Sequence, residues 1–377
     1  RGPPTIKSIY TFRLSMRPDG TWKYKVRLCA CGYSQRHRVN FTDTFAPTAR
    51  LKSIRILLNI AAVKDWEINM FDVENAFLEA PLPETIHMYL PFPEHQNTDG
   101  SKVRVSLNRS LYGLKQAGNE FYKLLRSKLT DDGFQPTIHD QCVFVKVDPA
   151  TGLITIAFTF VDDIGVTGND RQGIIAAGEH ITSSFTAVTH LGPIKRFIGI
   201  DVARDRVNRT IHLTQHPHIK SMANATATTR ATPLSSTVDY RVPGDGSNPP
   251  IHAEIGKLRY LADNTEPCIL NAMSNLATGA ANPSDHHTKG VRDVARYLQT
   301  NHNGTTYGGK EILLFAEVDA NYVTKHDSKS QIGYALFLNL HSGTIHARSR
   351  KDTKVSRSST EPEIRAIGHV ITEIVWA

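Results

Sequence analysis

Two adjacent acids, Asp162 and Asp163, interrupt the stretch TIAFTFVDDIGVTGND (residues 155 to 170) between runs rich in Phe, Ile, Val and Thr. The run Ile154 to Phe160 is β-branched and aromatic with partial alternation, and Ile164-Gly165-Val166-Thr167 resumes that character at once. The pattern predicts two strands joined by a tight hairpin with both carboxylates at its tip. Adjacent Asp residues also suit ordinary turns, where their short side chains bond the backbone. An Asn-Gly or Asp-Gly pair would make the easier turn, however, and like charges held together are costly unless a cation or a proton neutralises them. A hard divalent ion such as Mg²⁺, which takes a few carboxylates plus substrate phosphate oxygens, meets that need. Such a site requires at least one more acid from elsewhere.

A second acid in an unusual setting is Asp72, between Phe71 and Val73 in WEINMFDVENAF. An acid inside an apolar strand costs free energy unless it is paired or ligates a metal. Basic segments flank both acidic stretches. Lys and Arg outnumber Asp and Glu by 44 to 36, a formal charge of +8 with a pI near 9.2, which suits a polyanionic partner without requiring one. The 377 residues suffice for two or three domains, and 40 % hydrophobic with 21 % charged residues is a globular composition. Cys29, Cys31, Cys142 and Cys268 show no C-x-x-C or zinc spacing and read as free thiols in a reducing compartment. The 17 histidines form no H-E-x-x-H pattern. No stretch approaches the roughly 20 apolar residues of a membrane span. The sequence opens on Arg with no charged-then-apolar leader, and is expected to be a fragment or a processed piece.

Along the chain, TFRLSMRPDGTWKYKVRLCACGYSQ predicts a hairpin turning at Pro18-Asp19-Gly20, with basic residues on the returning strand. Leu51, Ile54, Leu57, Leu58 and Ala61 recur at helical spacing and predict a helix with one buried face. A second helix carries Ala117, Phe121, Leu124, Leu125 and Leu129 on one side, with Gly133 as its stop. Residues 222–250, poor in large apolar side chains, read as a linker or a long surface loop. Helical segments follow to about 300, the second opening on Pro267. Near 311 the texture changes to strands, EILLFAEVDANY and SQIGYALFLN, and then to a helix expected to turn Ile364, Ile367, Val370, Ile371 and Ile374 inward.

One acid on a strand and two on a hairpin tip about ninety residues later form an order similar to that of the reverse transcriptases. The blocks YKVRLCACGYSQ, FAPTARLKSIRILLNIAA, FDVENAFLEAPLPETIHMYLP, SLYGLKQAGNEFY, FVDDIGVTG, LGPIKRFIGIDV and KLRYLADN stand in the order of copia-type retrotransposon polyproteins, over almost the whole chain. The resemblance implies an α+β right-hand polymerase: fingers and palm in 1–200, thumb and linker in 201–250, a helical connection in 251–310, and a partial ribonuclease H-like α/β domain in 311–377. It implies that Asp72, Asp162 and Asp163 are the catalytic triad, holding two Mg²⁺ ions roughly 4 Å apart, with Mn²⁺ as an alternative. Lys25 and Arg27 match groups that grip the incoming triphosphate. Phe77 matches the bulky residue under the deoxyribose, Gln116 a nucleotide contact, and Leu191 to Gly199 the region steadying the primer end. The implied partners are an RNA template, a DNA primer and deoxynucleoside triphosphates. The implied setting is a cytoplasmic particle or the nucleus, the chain acting alone, as a dimer or within the particle.

Asp319 and Glu363 match two acids of the ribonuclease H set, although Thr360 with Glu363 is also a capping box. With two of about four ligands, ribonuclease H activity is not expected. Asn321, Tyr322 and Pro362 depart from the family pattern. The competing reading is a catalytically inactive remnant that still binds nucleic acid through its basic surface.

Overall fold

The computed structural model describes residues 4–16, 21–222, 230–322 and 328–376. The chain is a mixed α/β protein that divides into two compact units, 1–50 with 67–193, and 51–66 with 194–377.

The first unit is built on a six-stranded antiparallel sheet. Its order is Val188–Pro193, Ile68–Val73, Asp163–Gly168, Ile154–Phe160, Val143–Val147 and Gln135–Pro136. β-branched and aromatic residues dominate these strands because their side chains pack well on a pleated surface. The helix Arg171–Ser184 lies against the face that carries Phe71, where a Cβ added to Gly178 would come within 2.7 Å of the Phe71 ring. The helix Ala117–Asp131 runs beside it, joined by a 2.8 Å bond between His180 Nε2 and the Lys128 carbonyl. Phe121, Leu125 and Leu129 point inward as their spacing predicts, and Gly133, at φ +89°, closes the helix. A smaller sheet sets Thr5–Ile6 parallel to Pro81–Tyr89 and the latter antiparallel to Arg104–Arg109. The strands Ser8–Met16 and Trp22–Ala30 pair antiparallel as a two-stranded ribbon. The expected turn at Pro18-Asp19-Gly20 lies outside the described residues.

The second unit holds the helix Leu51–Lys64, an antiparallel sheet ordered Arg196–Phe197, Ile200–Asp205, Thr210–Thr214 and Thr305–Gly308, and three helices, His252–Asn264, Leu270–Ala277 and Asp285–Thr300. Leu258, Leu261, Ile269, Met273, Leu276, Val294 and Leu298 form the helical core. A three-stranded antiparallel sheet, Phe315–Asn321, Lys329–Phe337 and His346–Val355, is followed by the helix Thr360–Trp376.

Three features differ from the sequence reading. The helix Leu51–Lys64, expected within 1–200, groups with the second unit. The Arg55 guanidinium donates to the carbonyls of Asp263, Asn264 (2.7 Å) and Ile345 (3.3 Å), and Lys52 pairs with Glu373 at 2.6 Å. Residues 230–250 hold no helix or strand, as expected of a long surface loop, but the loop is anchored and not a loose linker. Tyr240 and Arg241 are buried, the Tyr240 carbonyl accepts from Thr278 Oγ1 at 2.8 Å, and Arg230 pairs with the buried Asp293. The helix Thr360–Trp376 turns Pro362, Ala366 and Val370 inward, whereas Ile364, Ile367 and Ile371 are exposed. The buried row is the i, i+4, i+8 line, whose small residues let the helix approach the sheet, and the isoleucines fall on the adjoining row.

Candidate active site

The register of the large sheet brings the acids together. Asp72 stands directly opposite Asp163 on one neighbouring strand and Thr189 on the other. Because side chains alternate, these three share the face opposite Phe71, away from the helix Arg171–Ser184. Opposed residues in an antiparallel pair have Cβ atoms about 4.5–5.5 Å apart. Phe160 pairs with Asp163, so the hairpin loop is only Val161-Asp162. Val161 has φ +59°, a left-handed conformation that glycine would normally supply at the first position of such a turn. For a β-branched residue this is strained, by about 1–3 kcal/mol, and it fixes where Asp162 points. The tip is also tied to the Asp72 strand, since Val73 N donates to the Asp162 carbonyl at 3.1 Å.

The electrostatics follow from the crowding. Burial and then the charges of Asp162 and Asp72 push Asp163 up to about 6. Asp72 is raised by burial, then by Asp162 and Glu74, and the Lys25 ammonium partly offsets this. Glu74 is held beside the row by Thr189 Oγ1 at 2.8 Å. Excess negative charge on hard oxygen ligands suits a divalent cation. Among the described residues, no group of three His, Cys, Asp or Glu side chains is placed to hold a metal ion.

Lys25 lies on the ribbon strand Trp22–Ala30, directly opposite Arg13, and like charges so placed favour an anionic ligand. Arg27, two residues on, stacks its guanidinium 5.1 Å from the centre of the Tyr112 ring, while its buried Nε has no hydrogen-bond partner. Phe77, half-buried on the short helix Ala76–Glu79, sets its ring edge-on to Tyr112 at 5.0 Å and to Phe121 at 6.5 Å.

Tyr112 thus joins Phe77 to Arg27. Its hydroxyl is raised chiefly by burial, and it feels the charges of Arg27, Asp162 and Asp72. Sequence reasoning missed this residue, since a lone aromatic in a loop carries no periodic signal. A usable signal was the adjacent Gly113, at φ +88°. The Tyr112 carbonyl accepts from Ala30 N at 2.8 Å, and a Cβ on Gly32 would come within 2.0 Å of Gly113 O, so the loop seats directly on the ribbon base.

Gln116 faces inward instead of toward the acids. It is buried, its Nε2 donates to the Asn40 carbonyl at 2.8 Å, and its Oε1 accepts from Gln35 Nε2 at 3.0 Å. Asp319 and Glu363 are not brought together. Asp319 aligns with Gly333 and Ser349. This is the sheet face from which Gln331 Nε2 donates to Ser349 and to Ser274 of the helix Leu270–Ala277. The helix bearing Glu363 packs on the other face, where His369 meets Arg350, the cross-strand partner of Ile332. Glu363 itself is exposed.

Comparisons with known proteins address the family. Residues 3–238 match the family described as reverse transcriptase (RNA-dependent DNA polymerase). The whole chain is 30 % identical, over 401 aligned positions, to the retrovirus-related Pol polyprotein from transposon TNT 1-94 of Nicotiana tabacum. Over 389 positions, 99 % of the chain is 31 % identical to the corresponding polyproteins from transposons RE1 and RE2 of Arabidopsis thaliana. The chain spans only 29 %, 26 % and 26 % of those three relatives. With a match across more than half its length that contains all three converging aspartates, the chain belongs to the reverse transcriptase family.

Proposed function

We propose that the chain is the polymerase portion of a copia-type retrotransposon polyprotein, copying RNA and DNA templates into DNA by two-metal nucleotidyl transfer. The observation that carries this reading is the pairing of Asp72 with Asp163 beside a hairpin tip bearing Asp162. The six-stranded sheet then serves as the palm and the basic ribbon as the fingers. The thumb and linker would occupy 201–250, the helical connection 251–310, and the ribonuclease H-like part 311–377. Template RNA, primer DNA and deoxynucleoside triphosphates are the substrates.

Asp72 and Asp163 would supply the carboxylate oxygens for two Mg²⁺ ions, with Mn²⁺ as a substitute and Asp162 as the third ligand. Ions bound there would acidify the primer 3′-hydroxyl and neutralise charge on the triphosphate and departing pyrophosphate. The protein's own part is positioning. Lys25 and Arg27 hold the phosphates, the Arg27 guanidinium being steadied by the Tyr112 ring. Phe77, braced by Tyr112, closes the space a 2′-hydroxyl would need. Val161 and the Val73–Asp162 bond keep the tip from moving as charge develops, so little reorganisation accompanies the reaction. Gln116 acts indirectly, locking residues 35–40 beneath the Tyr112 loop. Because Asp319 and Glu363 lie on opposite faces, this reading assigns the C-terminal part no ribonuclease H role.

Extension of an oligo(dT) primer on poly(rA) with Mg²⁺ tests the reading. Incorporation that is lost in Asp162→Asn is the expected result. Full activity in that variant would overturn it. Salt-sensitive template–primer binding with no incorporation would support an inactive, binding-only remnant instead.

A further inference from the structure

The two faces of the ribbon formed by Ser8–Met16 and Trp22–Ala30 differ in charge. One face carries Ile9 and Cys29 at its base and then Thr11, Arg13, Ser15, Lys23, Lys25 and Arg27. The other carries the cross-strand pairs Phe12 with Val26, Leu14 with Tyr24, and Met16 with Trp22, and among the described residues no charge. At the base of this apolar face Tyr10 is engaged, its hydroxyl 2.7 Å from His95 Nε2. Beyond that contact the six side chains are between 51 % and 77 % exposed.

A bare two-stranded ribbon is marginal in water, and one with a wholly apolar side needs a cover. A polyanion is a poor occupant, because among its described residues the face offers no cation to its phosphates. It also lies on the reverse of the strands whose Lys25 and Arg27 act on Asp72 and Tyr112, so it points away from the acids. A flat, neutral surface is its own complement, and two such ribbons stack about 10 Å apart as sheet on sheet. At roughly 150–200 Å² per large side chain, six residues with these exposures present on the order of 700 Å², close to the roughly 800 Å² per partner of a stable interface.

We propose that the chain self-associates through this face, two ribbons packing apolar side to apolar side, with Lys25 and Arg27 of each copy left facing its own acids. The inference is independent of catalysis, so it stands or falls separately from the polymerase reading.

Sedimentation velocity of the full chain over a concentration series centred on about 1 μM gives the test. The wild type is expected to form a dimer, and Phe12→Lys with Tyr24→Lys to raise the dissociation constant by about 100-fold or more, the effect of losing two aromatic anchors. The far-ultraviolet circular dichroism should not change. Leu14→Cys should give a disulfide between the two introduced thiols, located by peptide mass spectrometry, and this result decides the matter if the double variant fails to fold. A monomer at every concentration, or aggregates without a dimer, would overturn the proposal. So would a dimer that survives the double substitution, including one lost instead on Ile367→Lys with Ile371→Lys. Loss of oligo(dT) binding by a protein monomeric throughout would make the face a stacking platform for single strands and likewise overturn it.

Discussion

Replacing Asp163 with Asn should stabilise the metal-free protein while abolishing its chemistry. Folding raises this carboxyl from its ordinary 3.8 to about 6, through burial and the charges of Asp162 and Asp72. A raised acid binds its proton more tightly in the fold than in the unfolded chain. Stability therefore falls as the pH rises from about 4 to about 6, and the full cost is present at pH 7. Carried through entirely, the difference is worth about 3 kcal/mol. Asp163 is only partly buried, and solvent screening reduces that to about 1–1.5 kcal/mol. Asn keeps the shape without the charge, so at pH 7.5 in EDTA the variant should unfold roughly 2–5 °C higher. Below pH 4, where wild-type Asp163 holds its proton, the two should coincide. Calorimetry across that range reads both effects. A variant less stable than wild type at pH 7.5, or a gain that persists below pH 4, would refute the idea that repulsion among these acids is stored in the apoprotein.

Further outcomes follow from the neighbours of the triad and from the second unit. Phe77→Ala should relax discrimination against ribonucleotides by about 10–200-fold in kcat/KM, the range for opening space in a packed pocket, measured by paired incorporation of dTTP and UTP. Tyr112→Ala should raise the KM for nucleotide about tenfold, or about 1.4 kcal/mol, because Arg27 and Phe77 lose their common support; steady-state extension checks it. Gln116→Ala should leave that KM within about twofold, yet cost about 2–3 kcal/mol of stability by orphaning Gln35 and Asn40, as urea denaturation would report. Arg55→Ala should destabilise the second unit by about 3–5 kcal/mol, since buried carbonyls at Asp263, Asn264 and Ile345 lose their donor, visible as a lowered denaturation midpoint.

Local pattern revealed the elements, and long-range pairing decided what they hold. Strand and helix periods located Ile68–Val73, the Ile154 to Gly168 hairpin, Leu51–Lys64 and Ala117–Asp131, because each depends on near neighbours. The need for a partner acid near Asp162 and Asp163 was also legible, from the cost of uncompensated charge. Its geometry was not, because register is a property of the assembled sheet. Gln116 illustrates the limit. A polar residue opening a helix reads as exposed, and only Asn40 and Gln35, 76 and 81 positions away, explain its burial. The grouping of Leu51–Lys64 with the second unit rests similarly on Arg55 reaching carbonyls 208 and 209 positions on. In Thr360–Trp376, hydrophobicity spreads around more than one face, so periodicity alone could not choose the buried row.

The central claim is that Asp72, Asp162 and Asp163 jointly hold divalent ions beside a primer terminus. Crystals of the chain with template–primer, a non-hydrolysable deoxynucleoside triphosphate and Mn²⁺ would show the ions directly by anomalous scattering. The account predicts peaks at inner-sphere distance from carboxylate oxygens of Asp72 and Asp163, absent in Asp163→Asn. Bound nucleotide with manganese elsewhere, or with no peak at these carboxylates, would contradict it.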